Sequence, residues 1–418
     1  MDFQRDGRPR VVMTGLGAIS PLGLDVPSLW EGLVMGRSGT RRITRFDPAD
    51  LPSQVAGEVH DFDPLLYMSK KEVRRLSLGA QYSIAVAEQA IDDAGLDFED
   101  ADNARVGVVI GTGMGAYDYA DTSVQGFRRE GFAKVSPFAM PLSLPNMWSQ
   151  HVSERHGLRG PISTVCTACA TGTMAIGMAL DWVRDGRADV VLAGGVEALL
   201  HDYAIAGFGA MRALSTGFND RPESASRPFD LHRDGFVFSE GGAVVVLESL
   251  EHARARSADV YCEVLGYGLV SDAFHIAAPD LSGDGYLRAM QCALDDAGVN
   301  PADIDLVNAH ASSTQLNDGT ETLALKRLLG DDAYHVPVHA SKSMLGHSLG
   351  GAGGLEVIAC ALTIRHGVVH PTINYETPDP ACDLDYVPNE AREMRVDIIL
   401  DNSFAMGGNN ACLVLGRV

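Results

Sequence analysis

In the stretch STVCTACATGTMAIG (Ser163 to Gly177) two cysteines, Cys166 and Cys169, stand three apart at the head of a small-residue, apolar run. Three chemistries compete for them. A redox C-x-x-C pair belongs to an early βαβ unit, whereas this pair lies deep in a long chain. A zinc site needs a second ligand pair at short spacing, and Cys262, Cys292, Cys360, Cys382 and Cys412 are solitary. A nucleophile needs room for substrate and a means of becoming thiolate. The alanines and glycines around Cys169 leave that room. The helix expected over ATGTMAIGMALDWV would turn free N–H groups and its positive dipole end toward the sulfur. Cys166 reads as a small core residue, as free cysteine commonly is. For Cys169, nucleophile and core stay equally open until partners are found.

The partners come later in the chain. His310 closes the apolar strand pattern DLVNA and begins the polar turn HASSTQLND, where catalytic groups commonly sit. His347 lies in SKSMLGHSLGGAGGLE, a cluster that also holds Lys342 and leads into a helix expected from near Gly353. Either histidine alone is more often structural. Their order after Cys169, with Lys342 alongside, shifts the balance toward nucleophilic catalysis.

The elements that must position these residues are legible as apolar, β-branched runs: 11–17, 106–113, 189–195, 243–250, 305–310 and 411–416. Such runs suit buried strands, and helix-length segments separate them, which predicts an α/β layered sheet. AIDDAGLD (90–97) precedes one strand run and ALDDAGVN (293–300) another at similar distance, so two halves of similar plan are expected. The 418 residues, 46% of them hydrophobic, support a large core of more than one ordinary domain. A net charge of −22 argues against general affinity for nucleic acid or anionic membrane. No charged segment followed by an apolar one opens the sequence, and no apolar run reaches the roughly 18 residues of a spanning helix. A cytoplasmic protein with reduced thiols is expected, seven thinly scattered cysteines being no disulfide framework.

TACATG around Cys169, NAHASST around His310, SKSMLGHSLGGAGGLE around His347 and NSFAMGGNN near the C-terminus resemble the four active-site blocks of the β-ketoacyl-acyl-carrier-protein synthases, most closely the synthase II type of fatty-acid and polyketide systems. The resemblance includes residues 211–243 and covers nearly the whole chain. It implies the duplicated five-layer α/β/α/β/α thiolase-like fold, with an N-terminal half over 1–254 and a C-terminal half over 255–418. It also implies a decarboxylating Claisen condensation in which Cys169 accepts an acyl chain from acyl carrier protein, by way of the carrier's phosphopantetheine arm. His310 and His347 would stabilise the enolate left when malonyl carrier protein loses carbon dioxide. Backbone N–H groups of Cys169 and Met406 would hold the tetrahedral oxyanion. Lys342 would pair with Glu356 on a helix, and Phe404 would be the ring beside the nucleophile. Neither metal nor cofactor is required by that reaction. The assembly implied is a homodimer or a heterodimer with a chain-length factor.

Several positions depart from the family. Ala311 stands where most members have glycine, which is tolerable only if φ there is negative. Met406 replaces a gatekeeping phenylalanine and should yield more readily. Met114 falls at an acyl-pocket position, and Ala139 where many synthases present a phenylalanine across the dimer interface. These departures predict acceptance of long, stiff or unsaturated acyl chains. Acidic carrier proteins need a positive landing site on this acidic chain. Lys70, Lys71, Arg74 and Arg75 offer one, and Lys134 and Arg212 fall at docking positions by resemblance, although a solvated helix face accounts equally for the first four. A thiolase would place a second catalytic cysteine near the C-terminus, but Cys412 sits inside the apolar run ACLVLG. A non-catalytic chain-length partner would lack the nucleophile.

Overall fold

The computed structural model describes residues 3–5, 7–98 and 103–418. Its central feature is a ten-stranded sheet. In chain order the strands are β1 (Val11–Ile19), β2 (Val106–Gly111), β3 (Ile162–Ser163), β4 (Val190–Glu197), β5 (Gly241–Ser249), β6 (Cys262–Ser271), β7 (Leu306–Asn308), β8 (Val338–His339), β9 (Ile398–Phe404) and β10 (Asn409–Gly416). Every strand run read from the sequence lies in this sheet.

Across the sheet the order is β8-β7-β9-β10-β6-β1-β5-β4-β2-β3. Numbered within its own half, each set of five follows the same order, 1-5-4-2-3 outward from the centre. The halves meet at β1 and β6, which pair antiparallel through Cys262 with Met13 and Glu263 with Val12. The repeated AxDDAG sequences end two equivalent helices, α1 (Leu78–Ala94) and α4 (Asp284–Ala297), each stopped by a left-handed glycine, Gly95 and Gly298. α1 packs on β1 and β5, and α4 on β6 and β10. Both contacts need a bare strand backbone: a Cβ on Gly17 would lie 1.9 Å from the Val86 carbonyl, and one on Gly268 2.2 Å from that of Ala289.

Three apolar cores separate the layers. One lies under α1, one under α4 and α5 (Gln315–Leu329), and the largest surrounds two central helices, α3 (Thr171–Arg184) and α7 (Ala352–His366). This is the five-layer thiolase-like arrangement. The central helices approach closely at their N-termini, where a Cβ on Gly172 would meet the Gly354 nitrogen at 2.7 Å and one on Gly353 the Thr173 hydroxyl at 2.2 Å. The small-residue runs read as room for substrate therefore also serve to bring two helix starts together. No helix among the described residues is long and apolar enough to cross a membrane.

Candidate active site

The two central helix starts carry two of the three expected residues. Cys169 lies in the 3-10 turn Ala168–Ala170 that runs into α3. His347 lies between a short helix, α6 (Lys342–Leu345), and the 3-10 turn Leu349–Gly351 that opens α7. His310 enters two residues past the end of β7. Sγ of Cys169 and one ring nitrogen of each histidine lie within 4.8 Å of one another, all three residues buried. The two imidazoles meet edge to face at 5.3 Å and 83°. All three residues line one cavity of about 510 Å³, with Phe404, Met406 and Arg212 also in its wall.

Backbone strain accompanies this convergence. Ala168, Ala311 and Leu349, beside the cysteine and the two histidines, have φ of +49°, +40° and +44°. Side chains prefer to avoid that region, at about 1–2 kcal/mol per residue, so surrounding bonds must impose it. At Ala168 the Thr171 hydroxyl does so, donating to the Ala168 carbonyl at 2.7 Å and accepting the Thr167 N–H at 2.9 Å. At Ala311 the clamp is Glu321 on α5, whose two oxygens accept the N–H groups of His310 and Ala311, each at 2.9 Å. The sequence-based condition that Ala311 avoid positive φ is thus overturned: the carboxylate holds it there.

The resting cysteine also differs from expectation. Burial pushes the Cys169 thiol up to about 11, against the pull of the Met406 N–H, the Lys342 charge and its own N–H. A helix N-terminus contributes about 0.3–1 kcal/mol in ordinary cases, less than this desolvation. The unliganded site therefore holds a thiol. The N–H groups of Met406 and Cys169, expected at the oxyanion, both act on this sulfur. Burial likewise drives His310 and His347 well below the ordinary imidazole range, helped by the positive charge of Lys342. Both rings are neutral near pH 7, so each carries one N–H to donate. Nδ1 of His310 and both ring nitrogens of His347 have no hydrogen-bond partner among the described residues.

Lys342 and Glu356 form the expected pair in close contact, 2% and 1% exposed. Burial still pushes the Glu356 carboxyl up to about 8, the ammonium offsetting only part of that cost. Phe404 is stacked on Tyr286 at 3.7 Å and lies 6.1 Å from His310.

Sequence reasoning missed four contributors. Glu321 is one, and its only trace was an acid in the helix after HASSTQLND. Glu197 is another, buried at the end of β4, where it accepts from Thr112 Oγ1 at 3.0 Å, Gly113 N–H at 2.8 Å and Gly350 N–H at 3.2 Å. A charge ending the apolar run DVVLAGGVE was its signal. Phe236 meets His347 edge to face at 5.4 Å, and Tyr286 backs Phe404.

Other expected residues lie elsewhere. Met114 is 41% exposed and Ala139 opens the helix Ala139–Ser143, and neither is in the wall of the cavity. Lys70, Lys71, Arg74 and Arg75 are exposed, the first two on the short helix Lys70–Val73, and Lys134 is exposed as well. Arg75 lies 5.2 Å over the Phe138 ring. Cys166 is a correction: it is exposed rather than core, its thiol donating to the Gly113 carbonyl at 3.3 Å, because the chain here runs along the sheet's edge beside β3. Cys412 is buried in β10 and donates to Asn402 Oδ1, apart from the cavity.

Comparison with known proteins is consistent across nearly the whole length. Residues 8–253 match the family described as "Beta-ketoacyl synthase, N-terminal domain" and residues 261–376 its "C-terminal domain". The chain is 46% identical to the 3-oxoacyl-[acyl-carrier-protein] synthase 2 of Coxiella burnetii, over 98% of this chain and 99% of that protein. It is also 46% identical to the synthase 2 of Staphylococcus aureus, over 98% of each. Among solved structures, the ishigamide ketosynthase/chain length factor is 40% identical with a TM-score of 0.92, over 98% of this chain and 100% of that one. A type II PKS acyl-carrier protein in complex with its ketosynthase bound to the hexaketide gives 34% identity and a TM-score of 0.91 over the same shares.

Proposed function

The chain belongs to the β-ketoacyl synthase family, and on that premise we propose how its residues divide the labour of the condensation. The activity is that of a 3-oxoacyl-acyl-carrier-protein synthase, an acyltransferase that condenses an enzyme-bound acyl chain with malonyl carrier protein. Cys169 is the nucleophile. Its thiol passes a proton to a neighbouring neutral imidazole as Sγ attacks the acyl thioester, and the carbonyl oxygen becomes an oxyanion held by the N–H groups of Cys169 and Met406. Collapse expels the carrier's thiolate, which takes that proton back and leaves as thiol.

Malonyl carrier protein then occupies the vacated cavity. Its C–C bond breaks, carbon dioxide departs, and the electron pair moves onto the thioester oxygen, where N–H groups of His310 and His347 donate to it. Neutral rings serve this better than cationic ones because they stay neutral as the enolate forms and collapses. The enolate carbon attacks the acyl-Cys169 carbonyl, the same two backbone N–H groups hold the second oxyanion, and Cys169 leaves as thiolate to be reprotonated. Lys342, neutralised in part by Glu356, orients this side of the site. The observation that carries the reading is the convergence of one thiol and two uncharged imidazoles within 4.8 Å in a single cavity. Intact-protein mass spectrometry after incubation with a panel of acyl carrier proteins tests it. An acyl adduct on Cys169 is expected, persisting in Cys166→Ala and absent from Cys169→Ala, and an adduct on any other residue refutes the assignment.

Partner and substrate follow as finer readings. Phe127, Phe132, Phe138, Met140 and Leu144 are 42–85% exposed along one segment, near the sheet edge where Ile162 of β3 is also exposed. An apolar face of that kind, beside an unpaired strand, is suited to a second chain of this fold, whether a copy or a chain-length factor. The likeness to the ishigamide ketosynthase/chain length factor favours the heterodimer as a second reading. In such a pair Met114 and Ala139 would serve an acyl pocket completed by the partner, and Met406 would be its yielding gate for long or unsaturated chains. Arg212 lines the cavity, and Lys70, Lys71, Arg74, Arg75 and Lys134 form the positive surface for an acidic carrier. The setting is the cytoplasm.

A further inference from the structure

The turn that carries Lys342 is gripped from behind by the segment 370–374. Ala340 N–H donates to Thr372 Oγ1 at 3.0 Å, and Ile373 N–H donates to Ser343 Oγ at 3.1 Å. Asn374 Nδ2 donates to the Ser226 carbonyl at 2.9 Å, and the Ser226 hydroxyl in turn donates to the Lys342 carbonyl at 2.6 Å. One further contact is made by side chains alone. Ser341 Oγ lies 3.0 Å from Nε2 of His370.

His370 is fully buried and stacked at 3.9 Å and 23° on the equally buried ring of His339. Neither nitrogen of His339 has a close side-chain partner, and the His370 backbone is the polar group that acts on its ring. Two imidazoles are a costly way to fill apolar space, since rings without nitrogen would pack there with no polar group to satisfy. Packing alone does not account for them. Nδ1 of His370 is 3.0 Å from the Pro371 carbonyl, an acceptor only, which fixes the proton on Nδ1 and leaves Nε2 to accept the Ser341 hydroxyl hydrogen. The next residue after Ser341 is the lysine. Asn308 Oδ1, at 3.4 Å, is a second and longer acceptor for the Ser341 hydroxyl hydrogen. Asn308 donates through Nδ2 to Asp401 at 2.7 Å, and Asp401 shares the buried surroundings of Lys342 and Glu356.

We infer that His370, backed by His339, is a positioning residue for the condensation: by accepting the Ser341 hydroxyl hydrogen it fixes the turn that aims Lys342 at Glu356 and sets where the lysine's charge falls relative to His310 and His347. The inference rests on the division of roles proposed above. Glu356 and Asp401 act on the lysine from α7 and β9, while Glu197 acts on the cysteine and Glu321 holds the His310 backbone.

The test compares His370→Phe, which keeps the stacked ring, with Ser341→Ala and the double variant. Loss of the one hydrogen bond is expected to lower condensation kcat about ten-fold in either single variant, with no further loss in the double. Displacing the lysine removes a charge that holds the imidazoles neutral, so the acid limb of the kcat–pH profile moves to higher pH. The pH dependence of Cys169 alkylation by a small reagent moves the same way without any carrier protein. Losses that multiply in the double variant, or lower melting temperatures with unmoved pH profiles, overturn the proposal. Ser341→Ala removes a single hydroxyl, and an unmoved profile there is decisive even if His370→Phe fails to fold. Failure of the wild-type chain to form an acyl-Cys169 adduct would instead sink the catalytic roles, and the alkylation profiles separate the two outcomes.

Discussion

Alkylation of Cys169 across pH measures the balance between burial and the helix start. A thiol raised from about 9 to about 11 has lost roughly 3 kcal/mol of thiolate stability net, desolvation outweighing what the N–H groups and the Lys342 charge return. The helix N-terminus and two N–H groups recover part of that cost but do not reverse it. At pH 7.5 the thiolate is then roughly one molecule in three thousand, against about one in thirty for a cysteine at the ordinary value of about 9. In a Cys166→Ala background, where the exposed neighbouring thiol no longer competes, the iodoacetamide rate at Cys169, followed by peptide mass spectrometry, should rise about ten-fold per pH unit from 7 to 9.5 without levelling. Because the Lys342 charge lowers the thiol's pKa, Lys342→Met should slow the reaction further across this range. A plateau reached below about pH 8.5 would show a thiolate resting state and refute the ranking of burial over dipole.

Other outcomes follow from the same geometry. His310→Ala and His347→Ala should retain acyl loading of Cys169 while losing roughly 10²–10³-fold in condensation, read by carbon dioxide release, since each removes a donor to the enolate. Near pH 7, Lys342→Met should destabilise the protein by less than the ~3–5 kcal/mol of a stranded buried charge, because the Glu356 carboxyl, already pushed up to about 8, takes a proton once the cation is gone. The loss should grow above about pH 8, as denaturant melts at two pH values would report. Ala311→Gly should be nearly neutral in stability, within about 0.5 kcal/mol, because release of left-handed strain offsets lost methyl burial and added chain entropy, whereas Ala311→Val should cost about 2 kcal/mol or more. Reversing Lys71 and Arg74 to glutamate should raise KM for the carrier protein by roughly ten-fold, with alkylation of Cys169 by a small reagent unchanged.

The sequence by itself determined the strands, the twofold plan and the chemistry-bearing residues. Apolar runs such as VGVVIGTG bury on both faces whatever surrounds them, and AIDDAG and ALDDAG each stop a helix with a glycine by local rules. Cys169, His310, His347, Lys342 and Glu356 were legible because four motifs retain both spacing and neighbours. Only the tertiary structure decided that two helix starts meet across Gly172 and Gly353, bringing the thiol and His347 together with a histidine from the end of β7. It also decided that Glu321 forces Ala311 into a left-handed turn, that Cys166 faces out, and that Cys169 rests as a thiol. Those outcomes depend on desolvation and on contacts between residues from ten to hundreds of positions apart. Neither is encoded in a window of neighbouring residues, because burial is a property of the assembled layers and not of any segment within them.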